Sequence, residues 1–272
     1  MNPLRTKLET FVRQREWLVP TLVGALITLA FVSAFLYKPQ SIERISDAFF
    51  DHFHRQHPRV YDENTPVRII DIDNESIDRI GQWPWPRTTM AKFNDRLADA
   101  GAAVIAYDIL FSERDRTSPE NMMTVLKSNP DAQGRFSNVE RLRSHDTIFA
   151  ESIRRTNVVL GLFLVGQEME SLPKTRYGVS FVGNSPAKRF VRFAGAIHAL
   201  PELDEAAEGA GSVSFRPGRD GVIRAAPLFG RIDDRVYPSL SLEALRVAQG
   251  ASTFIVKSNA AQGEGGLSLI HI

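Results

Sequence analysis

Cysteine is absent from the 272 residues, which excludes disulfides, thiolate metal sites and a cysteine nucleophile together. That absence suits a large extracytoplasmic domain that needs no staples, and it suits the cytosol equally, so the compartment has to be read elsewhere. Net charge is nearly absent too: Lys and Arg number 33 against 32 Asp and Glu, a formal +1. No long basic stripe interleaved with aromatics occurs, so the electrostatic footprint of a nucleic-acid binder is missing. Internal repeats and low-complexity segments are lacking as well. A 43% hydrophobic content leaves enough apolar side chains for one large domain or two modest ones.

Charge is also missing locally. From Trp17 to Tyr37 (WLVPTLVGALITLAFVSAFLY) no residue is ionisable except the closing tyrosine, a length that crosses a hydrocarbon core at the helical rise. Arg5, Lys7, Arg13 and Arg15 precede the run, and Trp17 and Tyr37 occupy the places of interfacial aromatics. The reading is a cytoplasmic tail (1–16), a transmembrane helix (17–37) and a remainder on the far side. Pro20 falls in the first turn, where its missing N–H is not needed. A cleaved signal peptide would have a shorter apolar run, although Val32 and Ala34 before Phe35 offer a small-residue pattern. A buried soluble helix would carry a polar face, and this run has only Thr and Ser to offer.

Beyond the span, SIERISDAFFDHFHRQHPR sets Ile42, Ile45, Phe49, Phe50 and Phe53 near helical spacing with charges between them, an amphipathic helix leaving the membrane. His52, His54 and His57 do not share a helix face well enough for a metal site, so a solvated face is expected. PVRIIDID (66–73) then reads as a strand, MAKFNDRLADAG as a helix with Met90, Phe93 and Leu97 on one face and Gly101 as its stop, and AVIAYDILF as the next strand. Residues 112–145 look like a polar insertion with a short helix around Met122–Lys127. DTIFAESIRRTN predicts a capped helix with Phe149 and Ile153 inward, and VVLGLFLV an apolar strand. This alternation argues an α/β fold: a three-layer parallel or mixed sheet covered on both faces. In the second half SVSF and VIRAAPLFGRI flank RPGRDG, an Asp-Gly hairpin signal, and SLSLEALRVAQG predicts an amphipathic helix ended by Gly250.

The run IIDIDNESIDRIGQWPWPR (69–87), followed by AGAAVIAYDILFSERD, resembles the CHASE2 family of extracytoplasmic sensor domains. RDGVIRAAPL (219–228) and YPSLSLEALRVAQGAS (237–252) resemble its second half in the expected order, so the similarity spans roughly residues 40–260, and WPWPR is an uncommon string. It looks most like the CHASE2 version fused to class III adenylate/guanylate cyclases in Gram-negative bacteria. That resemblance implies an inner-membrane receptor with a periplasmic sensor, further spans and a cytoplasmic cyclase using ATP and a divalent metal. It also implies a periplasmic ligand or partner protein of unspecified kind, and a homodimer formed through the output domain. No cyclase catalytic residue is present to carry over, and no cofactor is expected for this stretch of chain. The alternative outputs are a histidine kinase, a Ser/Thr kinase or a diguanylate cyclase. Leu267–Ile272 back-translates as CTGTCTCTTATACACATC, the start of the mosaic end used in transposase-based sequencing libraries, so residues 267–272 are expected to be adapter and not native chain.

Candidate site residues gather at the predicted strand ends. Asp71 and Asp73 close the first and Asp108 the second, where the crevice of an open parallel sheet usually takes its ligand. Three carboxylates there can bind a hard cation or a basic group. The plainer expectation is that Asp71 caps a turn, Asp73 caps the NESIDRIG helix and Asp108 pairs with an arginine such as Arg87. DIDNES also brushes the D-x-D-x-T pattern of haloacid-dehalogenase-type phosphatases, with Glu75 in place of the threonine. Trp83-Pro84-Trp85-Pro86-Arg87 must be a rigid turn, since each proline fixes φ and restrains its predecessor. Its indoles and arginine either face a ligand or dimer partner, or pack over the sheet edge while Arg87 ties down carboxylates. Arg224, beyond the Asp220-Gly221 turn, is expected as a strand-surface charge.

Overall fold

Where charge disappears from the sequence, a helix begins. The computed structural model describes residues 18–37, 40–60, 62, 64–128, 142–183, 185, 187–215, 217–258 and 267–271. Trp17 and the basic residues before it lie outside them. Two units divide the chain at Asp71. The first holds helix α1 (Leu18–Tyr37), 20 residues long and therefore about 30 Å, and helix α2 (Gln40–Gln56). From Leu22 to Tyr37 the large apolar side chains of α1 point outward, as a helix solvated by lipid tails requires. In α2 Ile42, Ile45, Phe49, Phe50 and Phe53 are likewise exposed. The histidines stay on ring contacts, His54 stacked 5.5 Å from Phe50 and His52 edge-on to Phe53 at 5.9 Å.

The strand expected at PVRIIDID does not form. Residues 66–73 have no ladder partner among the described residues, and Ile69 is 91% exposed. A β-branched run specifies extended backbone and not the neighbour that makes it a strand. Arg68 also turns its guanidinium back onto the Val67 carbonyl at 3.1 Å, an acceptor that a ladder would use.

The second unit opens with α3 (Asn74–Ile80) and α4 (Arg87–Asp99), then β1 (Ile105–Tyr107), α5 (Pro119–Lys127), α6 (His145–Arg154) and β2 (Val158–Val165). There follow β3 (Gly178–Val182), β4 (Val191–Phe193), β5 (Gly195–Ile197), α7 (Pro201–Ala206), β6 (Gly209–Ser212), β7 (Phe229–Ile232), β8 (Arg235–Pro238), α8 (Leu240–Ala248), β9 (Thr253–Ser258) and β10 (Leu267–His271). β2 is the hub: β1 and β6 pair with it in parallel (Leu160 opposite Tyr107 and Ala210), and β5 joins antiparallel (Phe163 opposite Ile197). Val158 and Leu160 pack with Met90, Phe149, Ile153 and Leu203, so α4, α6 and α7 cover one face. Gly209 and Gly211 turn toward α8 on the other: a Cβ on Gly211 would stand 2.5 Å from the Leu240 Cα, so only glycine lets this helix lie flat on the strand. These layers make the mixed α/β body that the alternation predicts. Two further sheets, β4–β7–β8 and β3–β9–β10, complete it.

The antiparallel hairpin falls one step later than its Asp-Gly signal. Gly218 and Val222 do close a turn around Asp220-Gly221, with Gly221 at φ 79°, but among the described residues no strands flank it. The hairpin is β7–β8, turning through Asp233 at φ 48°, because Phe229 and Val236 have a core to enter whereas Val222 and Ile223 stay exposed. Arg224 accordingly sits in a loop, forked onto the Asp220 carboxylate at 3.0 and 2.6 Å, which holds that carboxyl down at about 2.

Candidate functional site

Pro86 leaves the first helical N–H of α4 without a local side-chain cap, and the turn before it carries the chain in rigidly. The missing acceptor comes from Asp115, whose Oδ2 takes the Arg87 N–H at 2.7 Å. A charged acceptor at a helix N-terminus is favoured both by the bond and by the aligned peptide dipoles. Asp146, fully buried in the first turn of α6, accepts from Arg87 Nε at 3.3 Å and from the Asp115 N–H at 3.0 Å. Arg87 Nη2 donates to the Glu113 carbonyl at 3.2 Å, and its guanidinium lies 4.4 Å from the centre of the Phe111 ring. Thr117 donates to Asp115 Oδ1 through both its N–H and its hydroxyl at 2.8 Å, and His145 Nδ1 stands 3.1 Å from Oδ2. Ser144, the residue before α6, spends its hydroxyl on Glu120, and Ser118 takes the first helical N–H of α6 instead, at 3.0 Å. One loop, residues 113–118, therefore caps two helices that lie far from it in sequence.

The electrostatics agree with a closed tie. Burial pulls the Arg87 guanidinium below its ordinary value, against the opposing charges of Asp146 and Asp115. Burial likewise pushes the Asp115 carboxyl up, but the hydrogen bonds from Arg87, Thr117 and His145 outweigh it and hold the group below the usual carboxylate range. Underneath, Asn94 accepts from the buried Tyr107 hydroxyl (3.1 Å) and donates to Ser152 and Thr156, so the polar atoms between α4 and α6 are satisfied.

A second buried pair sits under α8. Glu243 is buried by β6, where a Cβ on Gly209 would collide with its carboxylate, and it receives Arg246 through two bonds of 2.8 and 2.6 Å. Arg246 also donates to the Ala251 and Glu208 carbonyls, fastening the helix to both neighbouring strands. Burial raises the Glu243 carboxyl, and that carboxylate raises the guanidinium in turn.

The strand-end residues fare differently. Asp73 caps α3, its Oδ1 accepting from the Ser76 N–H at 2.8 Å and hydroxyl at 2.6 Å, which lowers its pKa. Asp71 is exposed in the first unit, and Asp108 is exposed after β1 and makes none of the Arg87 contacts. The expected Arg87–Asp108 pair is thus replaced by Arg87–Asp146, because the turn delivers Arg87 to the insertion loop and to α6. Trp85 is buried in the core with its Nε1–H on the Gly81 carbonyl at 2.7 Å, and half-buried Trp83 meets it edge-on at 5.5 Å. Asp115, Asp146 and His145 escaped the sequence reading because the ties that join them to one another and to Arg87 reach across 28 to 59 residues. The i, i+3 spacing of Glu243 and Arg246 was visible, but their burial was not. Among the described residues no three His, Asp or Glu side chains are placed to hold a metal ion.

The described residues thus combine an apolar helix long enough to span a bilayer with an α/β body whose buried charges are spent on internal ties. The chain belongs to the CHASE2 family: the CHASE2 domain matches residues 25–271. No curated protein and no solved structure matches it.

Proposed function

We propose that this chain is the sensory region of a bacterial signalling receptor, held in the inner membrane by α1, with its body in the periplasm. It regulates a class III adenylate/guanylate cyclase encoded downstream. The observation that carries this reading is the CHASE2 match over residues 25–271 behind a span preceded by Arg5, Lys7, Arg13 and Arg15. The cyclase rests on the resemblance of 69–115 and 219–252 to the cyclase-linked members of the family. In such a receptor the signal, a ligand or a partner protein, binds two packings of the membrane helices with different affinity and so shifts their balance. ATP and a divalent metal serve the cyclase, which dimerises the receptor. The WPWPR turn is structural in this reading, since the Arg87 N–H, Nε and Nη2 already have partners within the fold.

Alkaline phosphatase fused after residue 250 tests the topology: it should be active, and a cytoplasmic reporter active at the same junction overturns the placement. Sequencing the gene beyond residue 266 from a library made without transposase tests the output. A cyclase after further spans supports the proposal, and a kinase or diguanylate cyclase replaces it. The same read settles residues 267–272, which are proposed as adapter although Leu267–His271 pairs with β9. The chain by itself should turn over neither phosphoesters nor ATP; phosphatase activity abolished by Asp71→Asn would establish the hydrolase instead.

A further inference from the structure

Between β6 and β7 the chain runs from Val213 to Leu228 with no helix or strand among its described residues. Loops of this length inside a compact domain usually carry function, and most are polar on their surface. This one is not. Phe215, Val222, Ile223 and Leu228 are each 46 to 52% exposed.

The turn that presents them is built, not slack. The Gly218 N–H donates to the Val222 carbonyl at 2.8 Å, and Asp220 takes the Val222 N–H at 3.1 Å and the fork of Arg224 at 3.0 and 2.6 Å. The only acid in this stretch of sequence is thereby spent inside the turn. Against it the same stretch sets Arg216, Arg219 and Arg224, so positive charge is in excess.

Apolar side chains on a turn rich in arginine suit the boundary of an anionic bilayer, where the apolar groups reach the acyl chains and guanidinium groups meet lipid phosphate. A protein partner suits it less. Stable protein interfaces engage about 20–30 residues a side, and four apolar side chains on one loop fall far short of that. A weak lipid contact suffices for a tethered body, because an anchor makes docking an intramolecular step at high effective concentration.

We propose that the loop from Val213 to Leu228 docks on the bilayer surface, its Gly218–Val222 turn entering the headgroup layer and its arginines selecting anionic lipid. This rests on the reading of α1 as a membrane anchor, which the same experiment tests separately.

The absence of cysteine lets each label be the only one. Val222→Cys and Ile223→Cys, with the exposed Val125 and Leu245 changed to Cys as controls elsewhere in the second unit, are made in the full chain. Phe215→Cys replaces either turn position that fails to keep the Tm of the parent. The proteins carry an environment-sensitive fluorophore and are reconstituted in vesicles of phosphatidylcholine, with or without phosphatidylglycerol. With the anionic lipid present, nitroxide-labelled phospholipid should quench the labels at Val222→Cys and Ile223→Cys and spare both controls. Arg219→Gln should lower the docked-to-undocked ratio about fivefold. Equal quenching at all four positions means mere proximity and overturns the docking, and equal quenching in both kinds of vesicle overturns the choice of anionic lipid. Unquenched turn thiols overturn it too: protected from a soluble maleimide, they lie under protein, and freely labelled, they lie under nothing. A chain that washes off in alkaline carbonate loses the anchor and the proposal together, whereas one that resists carbonate with unquenched turn labels loses the proposal alone.

Discussion

The two units of this chain put opposite kinds of residue in the unexpected place. In the first, apolar side chains face outward: Phe49 is 59% exposed and Phe31 73%. In the second, charges face inward: Asp146 and Glu243 are both at 0%. The difference teaches what each unit depends on. Outward Phe and Ile need lipid or another protein around them, so the first unit is completed from outside. Inward charges are tolerable only with partners that belong to the same fold, so the second is completed from within.

The sharpest way to break this contrast is to remove one member of a buried pair. Arg87→Ala or Asp146→Ala leaves the other charge stranded and should cost about 3–5 kcal/mol, a large part of a typical domain's stability, measured by denaturant unfolding of the full chain in detergent. A normally stable Arg87→Ala receptor that no longer answers its signal would move the sensory site to the WPWPR turn. Glu243→Ala should be nearly as harmful, because Arg246 keeps only its carbonyl acceptors, whereas Gly211→Ala is expected to prise α8 from the sheet and lower Tm by several degrees.

Acid should act on the second unit in the same sense but more gently. Asp115 ionises more readily in the fold than in the unfolded chain, so the unfolded chain binds more protons and stability rises with pH between the two pKa values. The contribution is complete above the unfolded value of about 3.9 and fades as pH falls through the lower folded one. Asp115→Asn should flatten that part of the unfolding profile, and an identical acid limb in the variant would remove Asp115 from the explanation. Least affected should be the exposed apolar side chains of α2: Phe49→Ser is expected to change the unfolding of the second unit by no more than about 0.5 kcal/mol, and a larger loss would mean that the units are energetically joined.

What could be read in the sequence was whatever is written locally. The apolar helix α1, helix α4 and its Gly101 stop, strand β2 to its last residue, and α8 between Ser239 and Gly250 follow from runs, periods and caps a few residues apart. The Asp73 cap was legible for the same reason. The Arg87 network was not, because α4 and α6 take their caps from the loop at 113–118, and nothing in the sequence around Pro86 or Ser144 names an acceptor so far away. PVRIIDID failed in the other direction: its β-rich composition is genuine, but pairing belongs to a partner strand and not to the run itself. The Asp-Gly signal marked a true turn and still missed the hairpin, since burial of Phe229 and Val236 decided where strands could form.

A double-mutant cycle between Arg87 and Asp146 tests the contrast most directly. Trp83 and Trp85 are two of the three tryptophans and flank the network, so fluorescence reports its loss in the full chain. If the inward charges serve the fold, Arg87→Ala and Asp146→Ala each destabilise strongly, and the double variant is more stable than their sum by about 0.5–3 kcal/mol. Additive effects, or single variants within about 0.5 kcal/mol of the parent, would show that these charges are not held for stability and would contradict the account.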